Sequence, residues 1–457
     1  MELLARWQFA LTTIFHFFFV PVTIGLSAVV ATMQTLAYRR HDATWDKLSR
    51  FFGRLFLINL AVGVVTGIVL EFQFGMNWSA YSIFVGNIFG APLAIEGLLA
   101  FFLESTFVGL WIFGRDRLSP RLHLATIWAT SLGTILSAFF ILAANSWMQH
   151  PVGYRVEHGR AFLTNFWAVL GNSTLWAAFV HTITAALVTA GALVLGIAVW
   201  QVRRAHEEHE RAPFLRVARF SAALTLVSVL ATGVSGDLQA RLMDSQQPMK
   251  MAAAEAIYNT KSGASFSILT IGNLNGEPVF QIRVPHVLSM MADLSWNGQV
   301  KGINQVQAAE TAKHGKASYI PVLWLTYWSF RIMVGTAILL ILLSAWGVVL
   351  ARRKRLATSR WFVPAALVGI ALPFLANTTG WIFTEVGRQP WIVYGLMRTV
   401  RGVSSTTTAD VTTTLVGFVV LYSVLGAIDA VLMFRAARRR LTEPDGTHAP
   451  EAGGLVY

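Results

Sequence analysis

Cysteine is absent from all 457 residues. That absence excludes disulfides, thiolate-held metals and covalent attachment of a c-type haem. Charge is scarce as well. Asp, Glu, Lys and Arg make up 13% of the chain and apolar residues 55%, whereas a soluble domain carries about 25% charged residues. The short alternating segments of a β-barrel are missing too. Lys and Arg are entirely absent from 75–91. A chain this apolar, with a mean hydropathy of +0.55, is an integral membrane protein.

What is present is long hydrophobic runs, at 9–36, 54–74, 92–114, 125–148, 174–200, 216–236, 324–350, 362–384 and 411–436. Each is close to or above the roughly 20 residues that a helix needs to cross about 30 Å of hydrocarbon. The expected fold is therefore all-α, with nine transmembrane helices. The net charge of +13 is distributed as a topology signal and not as a nucleic-acid footprint. Arg39, Arg40, Lys47, Arg50 and Arg54 follow span one. Arg115, Arg117 and Arg121 follow span three, Arg203, Arg204 and Arg211 span five, and Arg352, Arg353, Lys354 and Arg355 span seven. Segment 75–91, read as a connection on the other side, has none, and the positive-inside rule then puts the N-terminus outside and the C-terminus in the cytoplasm. The first apolar run is too long for a signal-peptide core and lacks a small-residue cleavage site after it, so it is expected to stay as the first helix.

The organisation expected is six spans in 1–236, an extracytoplasmic loop at 237–323, three spans in 324–436 and a cytoplasmic tail at 437–457. A loop that long in a compact protein is functional or disordered. Within it, 246–258 reads as helical and 270–285 as a short hairpin or an extended piece, with Asn275-Gly276 as a turn signal. Thr442–Tyr457, rich in Pro, Gly and charge, reads as a disordered tail.

Five residues that hydrocarbon rejects sit inside the apolar runs at similar depth: His16, Glu96, Glu104, His181 and Met333. Such residues are functional by default. Two histidines and a thioether suit iron held between helices, and His with Met is an axial set for a low-spin haem. The bland readings are core histidines bonded to backbone and a gap-filling methionine. Arg331, two residues before Met333, suits a haem propionate. Glu96 and Glu104, offset by about 80° and 12 Å on a regular helix, suit a proton shuttle with Ser105 and Asn145 as polar stepping points, or two protonated core acids. The sequence GWIFTEVGRQPW at 380–391 holds Glu385 and Arg388, either an interfacial ion pair or part of a site. Sixteen Trp and 31 Phe offer packing around a planar cofactor, though interfacial belts account for many of them.

That last motif, with RWQFA at 6–10, GAPLAIEGLLAFFLESTFVGLWIFG at 90–114, the His181 helix and YWSFRIMVG at 327–335, resembles subunit I of cytochrome bd-type quinol oxidases, of the kind with a short quinol loop. The resemblance implies two four-helix bundles plus a peripheral ninth helix, in the cytoplasmic membrane of a bacterium. It implies two b-type haems and one haem d. His181 and Met333 match the ligands of the low-spin b haem, and His16 and Glu385 match ligands of the two high-spin haems, with the choice between them open. Glu96 matches the acid at the oxygen-reactive haem, and Glu104 a proton-path residue with Ser105 and Asn145 beside it. Trp381 matches the aromatic between haems, Arg331 and Arg388 the propionate arginines, and Lys250 and Glu255 the quinol-oxidising pair. Implied partners are a homologous membrane subunit II, small single-span subunits, quinol and O2. Three other readings stay open: an oxidase with b haems only, a di-haem cytochrome that relays electrons, and an ion transporter without haem.

Overall fold

A computed structural model describes residues 1–272 and 278–441. Nine helices among the described residues are long and apolar enough to cross a membrane. They are α1 (Glu2–Arg40), α2 (Ala43–Met76), α3 (Ser79–Phe113), α4 (Pro120–Gln149), α5 (Ser173–Arg204), α6 (Glu208–Gln246), α9 (Leu323–Arg352), α10 (Phe362–Val386) and α11 (Thr408–Arg438). Among the described residues three shorter helices lie between α6 and α9: α7 (Pro248–Glu255), α8 (Ile303–His314) and, between those two, the seven-residue helix Val287–Asp293.

Several helices outrun their apolar cores because polar caps close their ends. Asp42 accepts from the Thr44 amide at the start of α2, Ser119 caps α4 ahead of Pro120, and Asn172 caps α5. Thr407 and Asp410 form a reciprocal capping box on α11. Each cap satisfies amides that the first turn leaves without partners.

Three features differ from the sequence expectation. The Lys- and Arg-free stretch 75–91 is not a connection: only Asn77 and Trp78 link α2 to α3, and most of it is helix. Its missing charge therefore belongs to a helix long and apolar enough to cross a membrane and says nothing about sidedness. The eighth span is two helices, Phe362–Gly369 and Ala371–Val386, joined at Ile370. The fold is also not purely helical, since four two-stranded antiparallel sheets decorate the connections among the described residues. One pairs Phe266–Gly272 with Pro278–Val284, as the hairpin reading anticipated; its Asn275-Gly276 turn lies outside the described residues, as does Thr442–Tyr457.

Helix α1 packs against α2, α4, α5 and α11, while α5 packs on α6, α6 on α9 and α9 on α10. Gly25 permits the α1–α5 approach, because a Cβ there would collide with the Ala186 carbonyl and sit 2.6 Å from Ala190 Cβ. A core of Leu26, Val30, Met33, Phe52, Phe56 and Val194 fills the arginine-rich half. At the other end, the loop end, α7 is tucked between α6 and α9 with Lys250 and Glu255 both buried. Three consecutive alanines, Ala252–Ala254, let it lie that close.

Candidate functional site

His16, on α1, meets α2: its Nδ1 is 3.0 Å from Thr66 Oγ1. His181, on α5, meets α6 in the same way, with Nδ1 3.1 Å from Ser235 Oγ. Both rings are thereby fixed by one nitrogen. Met333 on α9 reaches α10, where a Cβ on Gly380 would lie 2.8 Å from its sulfur. The next residue, Trp381, turns to α1 and packs its ring 6.1 Å from both Phe9 and Phe17. Contacts through α10 thus put Met333, Trp381 and the neighbourhood of His16 at one level.

Glu385 ends α10 in a web of polar groups. Asn145 Nδ2 donates to Glu385 Oε1 at 3.0 Å, Gln149 donates to Asn145 at 2.8 Å, and Arg388 pairs with the other carboxylate oxygen. Arg388 is buried, and its Nε and Nη1 have no partner. Lys250 enters the same corner from α7. Its Nζ donates to the Thr384 carbonyl at 3.2 Å and lies 5.2 Å over the Phe383 ring. Burial, with repulsion from Arg388 added and attraction from Glu385 opposing, holds the Lys250 ammonium down to about 7.

Glu255, at the far end of α7, joins a different arginine. Its carboxylate lies 2.7 Å from Arg331 Nη2 and accepts from the Ser267 amide at 3.0 Å. Arg331 is ringed by Phe266, Tyr327 and Phe330 at 4.8–5.0 Å, donates to the Ala254 carbonyl, and also has Nε and Nη1 without partners. Burial raises the Glu255 carboxyl, and Arg331 offsets part of that rise. The two ends of α7 thus meet different partners: Lys250 the Glu385 corner, and Glu255 Arg331.

Glu96 opens a π turn, Glu96–Phe101, and Glu104 follows it in the α-helical turn beyond. An i→i+5 turn accommodates an extra residue and commonly marks a functional position, so the regular-helix offset between Glu96 and Glu104 does not hold. Ser137 of α4 donates to Glu96 Oε1 at 2.9 Å. Glu104 is buried, its backbone pressed against Gly133 of α4. Ser105 departs from expectation, being exposed with its hydroxyl bonded back to the Phe102 carbonyl. Ser137, on the facing helix, is the hydroxyl that meets Glu96. The signal was available as a stripe of hydroxyls on span four: Thr126, Thr130, Thr134 and Ser137, at helical spacing. All but Ser137 are buried, and beyond them, toward the arginine-rich end, His123 bonds Gln34 at 2.7 Å and the Trp111 carbonyl at 2.9 Å.

Comparisons with known proteins agree over almost the whole length. The family described as cytochrome bd terminal oxidase subunit I matches residues 4–441. Cytochrome bd ubiquinol oxidase subunit 1 of Bacillus subtilis (strain 168) is 45% identical over 449 residues, covering 97% of this chain and 95% of that protein. Cytochrome bd-II ubiquinol oxidase subunit 1 of Escherichia coli (strain K12) is 34% identical over 495 residues, covering 95% and 96%. The solved bd oxidase of Geobacillus thermodenitrificans superposes with a TM-score of 0.88 at 28% identity, over 96% of this chain and 98% of that one. Motifs, fold and full-length similarity converge: the chain belongs to the cytochrome bd terminal oxidase subunit I family.

Proposed function

We propose that this chain is the haem-bearing subunit of an electrogenic bacterial oxidase, oxidising quinol at the loop end and reducing O2 to water with protons drawn from the arginine-rich end. Membership of the family makes it a haem-dependent quinol:O2 oxidoreductase and one subunit of a larger complex. The observation that carries the finer reading is the matched pair Arg331 and Arg388. Each is buried, gives one arm to a carboxylate and has Nε and Nη1 unmet. An unmet buried donor costs about 1–3 kcal/mol, so both guanidiniums fit anionic groups such as haem propionates.

In this reading the cofactors are two b haems and one haem d. His181 and Met333 would hold the low-spin b haem, while His16 and Glu385 would hold the high-spin pair with Trp381 packed between. When bound, the haems supply one-electron transfer and the reduction of O2. The protein's own groups handle protons. Lys250, held down to about 7 by burial, exchanges a proton near neutrality and suits a base for quinol. Glu255, raised by burial and anchored by Arg331, suits the second quinol contact. On the opposite route the hydroxyl stripe of α4 leads toward Glu104 and Glu96.

We place the arginine-rich connections in the cytoplasm, the N-terminus outside and the protein in the cytoplasmic membrane. The contacts favour one four-helix bundle of α1–α4 and another of α5, α6, α9 and α10, with α11 peripheral, and a division into 1–236, 237–323, 324–436 and 437–457. A homologous membrane subunit II is the main partner, with small single-span subunits beside it. Reduced-minus-oxidised absorption spectra of the purified complex test the cofactor set. Two b-type signals and a red-shifted chlorin band are expected. Loss of the low-spin b signal is expected in His181→Ala and Met333→Leu. An absence of haem bands overturns the reading, and bands lacking the chlorin would mean b haems only.

A further inference from the structure

His16 and His181 lie on different helix pairs, yet they are seated alike. The hydroxyl facing each ring comes from the following helix, 50 residues on for His16 and 54 for His181. Each hydroxyl is itself already committed. Thr66 Oγ1 lies 3.0 Å from the Val62 carbonyl and 2.9 Å from that of Gly63, and Ser235 Oγ lies 3.0 Å from the Thr232 carbonyl. With the single hydroxyl proton donated to the backbone carbonyl, which can only accept, a lone pair faces the ring. The ring nitrogen Nδ1 must then carry the hydrogen, which leaves Nε2 with its lone pair free.

The residue after each hydroxyl is glycine, and it too touches the ring. A Cβ on Gly67 would lie 3.0 Å from His16 Cε1 and 3.5 Å from its Nε2; one on Gly236 would lie 3.3 Å from His181 Cε1. Each glycine therefore gives the ring edge the room that a side chain would take. The two seats differ in one respect. The Thr66 carbonyl accepts from Tyr422 Oη of α11 at 2.7 Å, which braces the His16 seat from the ninth helix.

We propose that Thr66-Gly67 and Ser235-Gly236 are equivalent seats that set the tautomer and rotation of His16 and His181, presenting Nε2 of each to iron. These are positioning residues, and the inference rests on the ligand reading above. A hydrogen bond from Nδ1 raises the basicity of the ligating nitrogen and favours the oxidised metal, and loss of such a partner typically weakens a site by about 10–100-fold.

The test is redox titration, followed optically, of the purified complex. Ser235→Ala should raise the midpoint potential of the low-spin b haem and leave the other haems unmoved. Thr66→Val should raise that of a high-spin haem only. Thr66→Ser and Ser235→Thr, which keep the hydroxyl, should restore the parent potentials, which a merely structural role would not require. Gly67→Ala and Gly236→Ala should weaken haem retention at the matching site alone. Unchanged potentials in Ser235→Ala and Thr66→Val, with His16→Ala and His181→Ala still removing haem, would overturn the seats while preserving the ligands. Unchanged spectra in the histidine variants would instead overturn the ligand reading itself.

Discussion

Lys250 carries its charge question in the open. The ammonium sits 5% exposed beneath the end of α10, with Arg388 nearby, and its value falls from 10.5 to about 7. The folded chain therefore releases this proton near neutrality, while the unfolded chain keeps it up to about 10.4. Between those values the unfolded state binds more protons, so this residue's contribution to stability improves as pH rises through that window. As a proton acceptor, Lys250 works only when neutral, so quinol oxidation should climb as pH increases through about 7. Lys250→Met should flatten that rise, measured as quinol-driven against artificial-donor-driven oxygen consumption; equal losses from both donors would count against a quinol role. At this scale the sequence was informative about residue types and less so about pairings. Glu255 and Arg331 stood out separately, but their 2.7 Å ion pair joins positions 76 residues apart, a distance no local pattern reports. Ser105 adjoins Glu104 in sequence, but adjacency on a helix turns a side chain about 100° away.

Among the elements, α3 departs most from what its sequence announces. Its apolar run of Leu and Phe is compatible with a continuous α-helix, and nothing in it signals the π turn at Glu96–Phe101. That turn depends on packing against α4, where Gly133 admits the Glu104 backbone and Ser137 reaches Glu96. The hydroxyl stripe on α4, by contrast, is legible at helical spacing in the sequence. Ser137→Ala should slow oxygen reduction several-fold while haem content and spectra stay at the parent level, since it removes the hydroxyl on Glu96 and little volume. Turnover per haem measures this, and parent-level turnover would separate α4 from the proton route. The matched seats of α1–α2 and α5–α6 were also invisible as a repeat, because they share geometry and a hydroxyl-glycine step instead of a run of identical residues.

For the molecule as a whole, the nine spans were the most legible feature, since twenty apolar residues in succession have few alternatives in water. Their ends were less so: hydropathy stops where hydrocarbon stops, whereas capped helices run on into the polar zone. The error at 75–91 came from the same source, with a helix taken for its connection. Sidedness rests on the arginines after spans one, three, five and seven, which all fall at one end. In sealed vesicles holding the complex with its loop end inward, quinol turnover should acidify the interior by about one proton per electron; alkalinisation would reverse the assigned direction.

The short helix α7 joins the two halves of this arrangement. Lys250 reaches the Thr384 carbonyl from one of its turns, and Glu255 grips Arg331 from its last. Five residues of α-helix span only about 7.5 Å, too short a rod to flex between its ends. A displacement at Glu255 therefore reaches Lys250 as the same displacement. The Arg331 corner and the Glu385 corner then keep common time, like two hands fixed to one shaft.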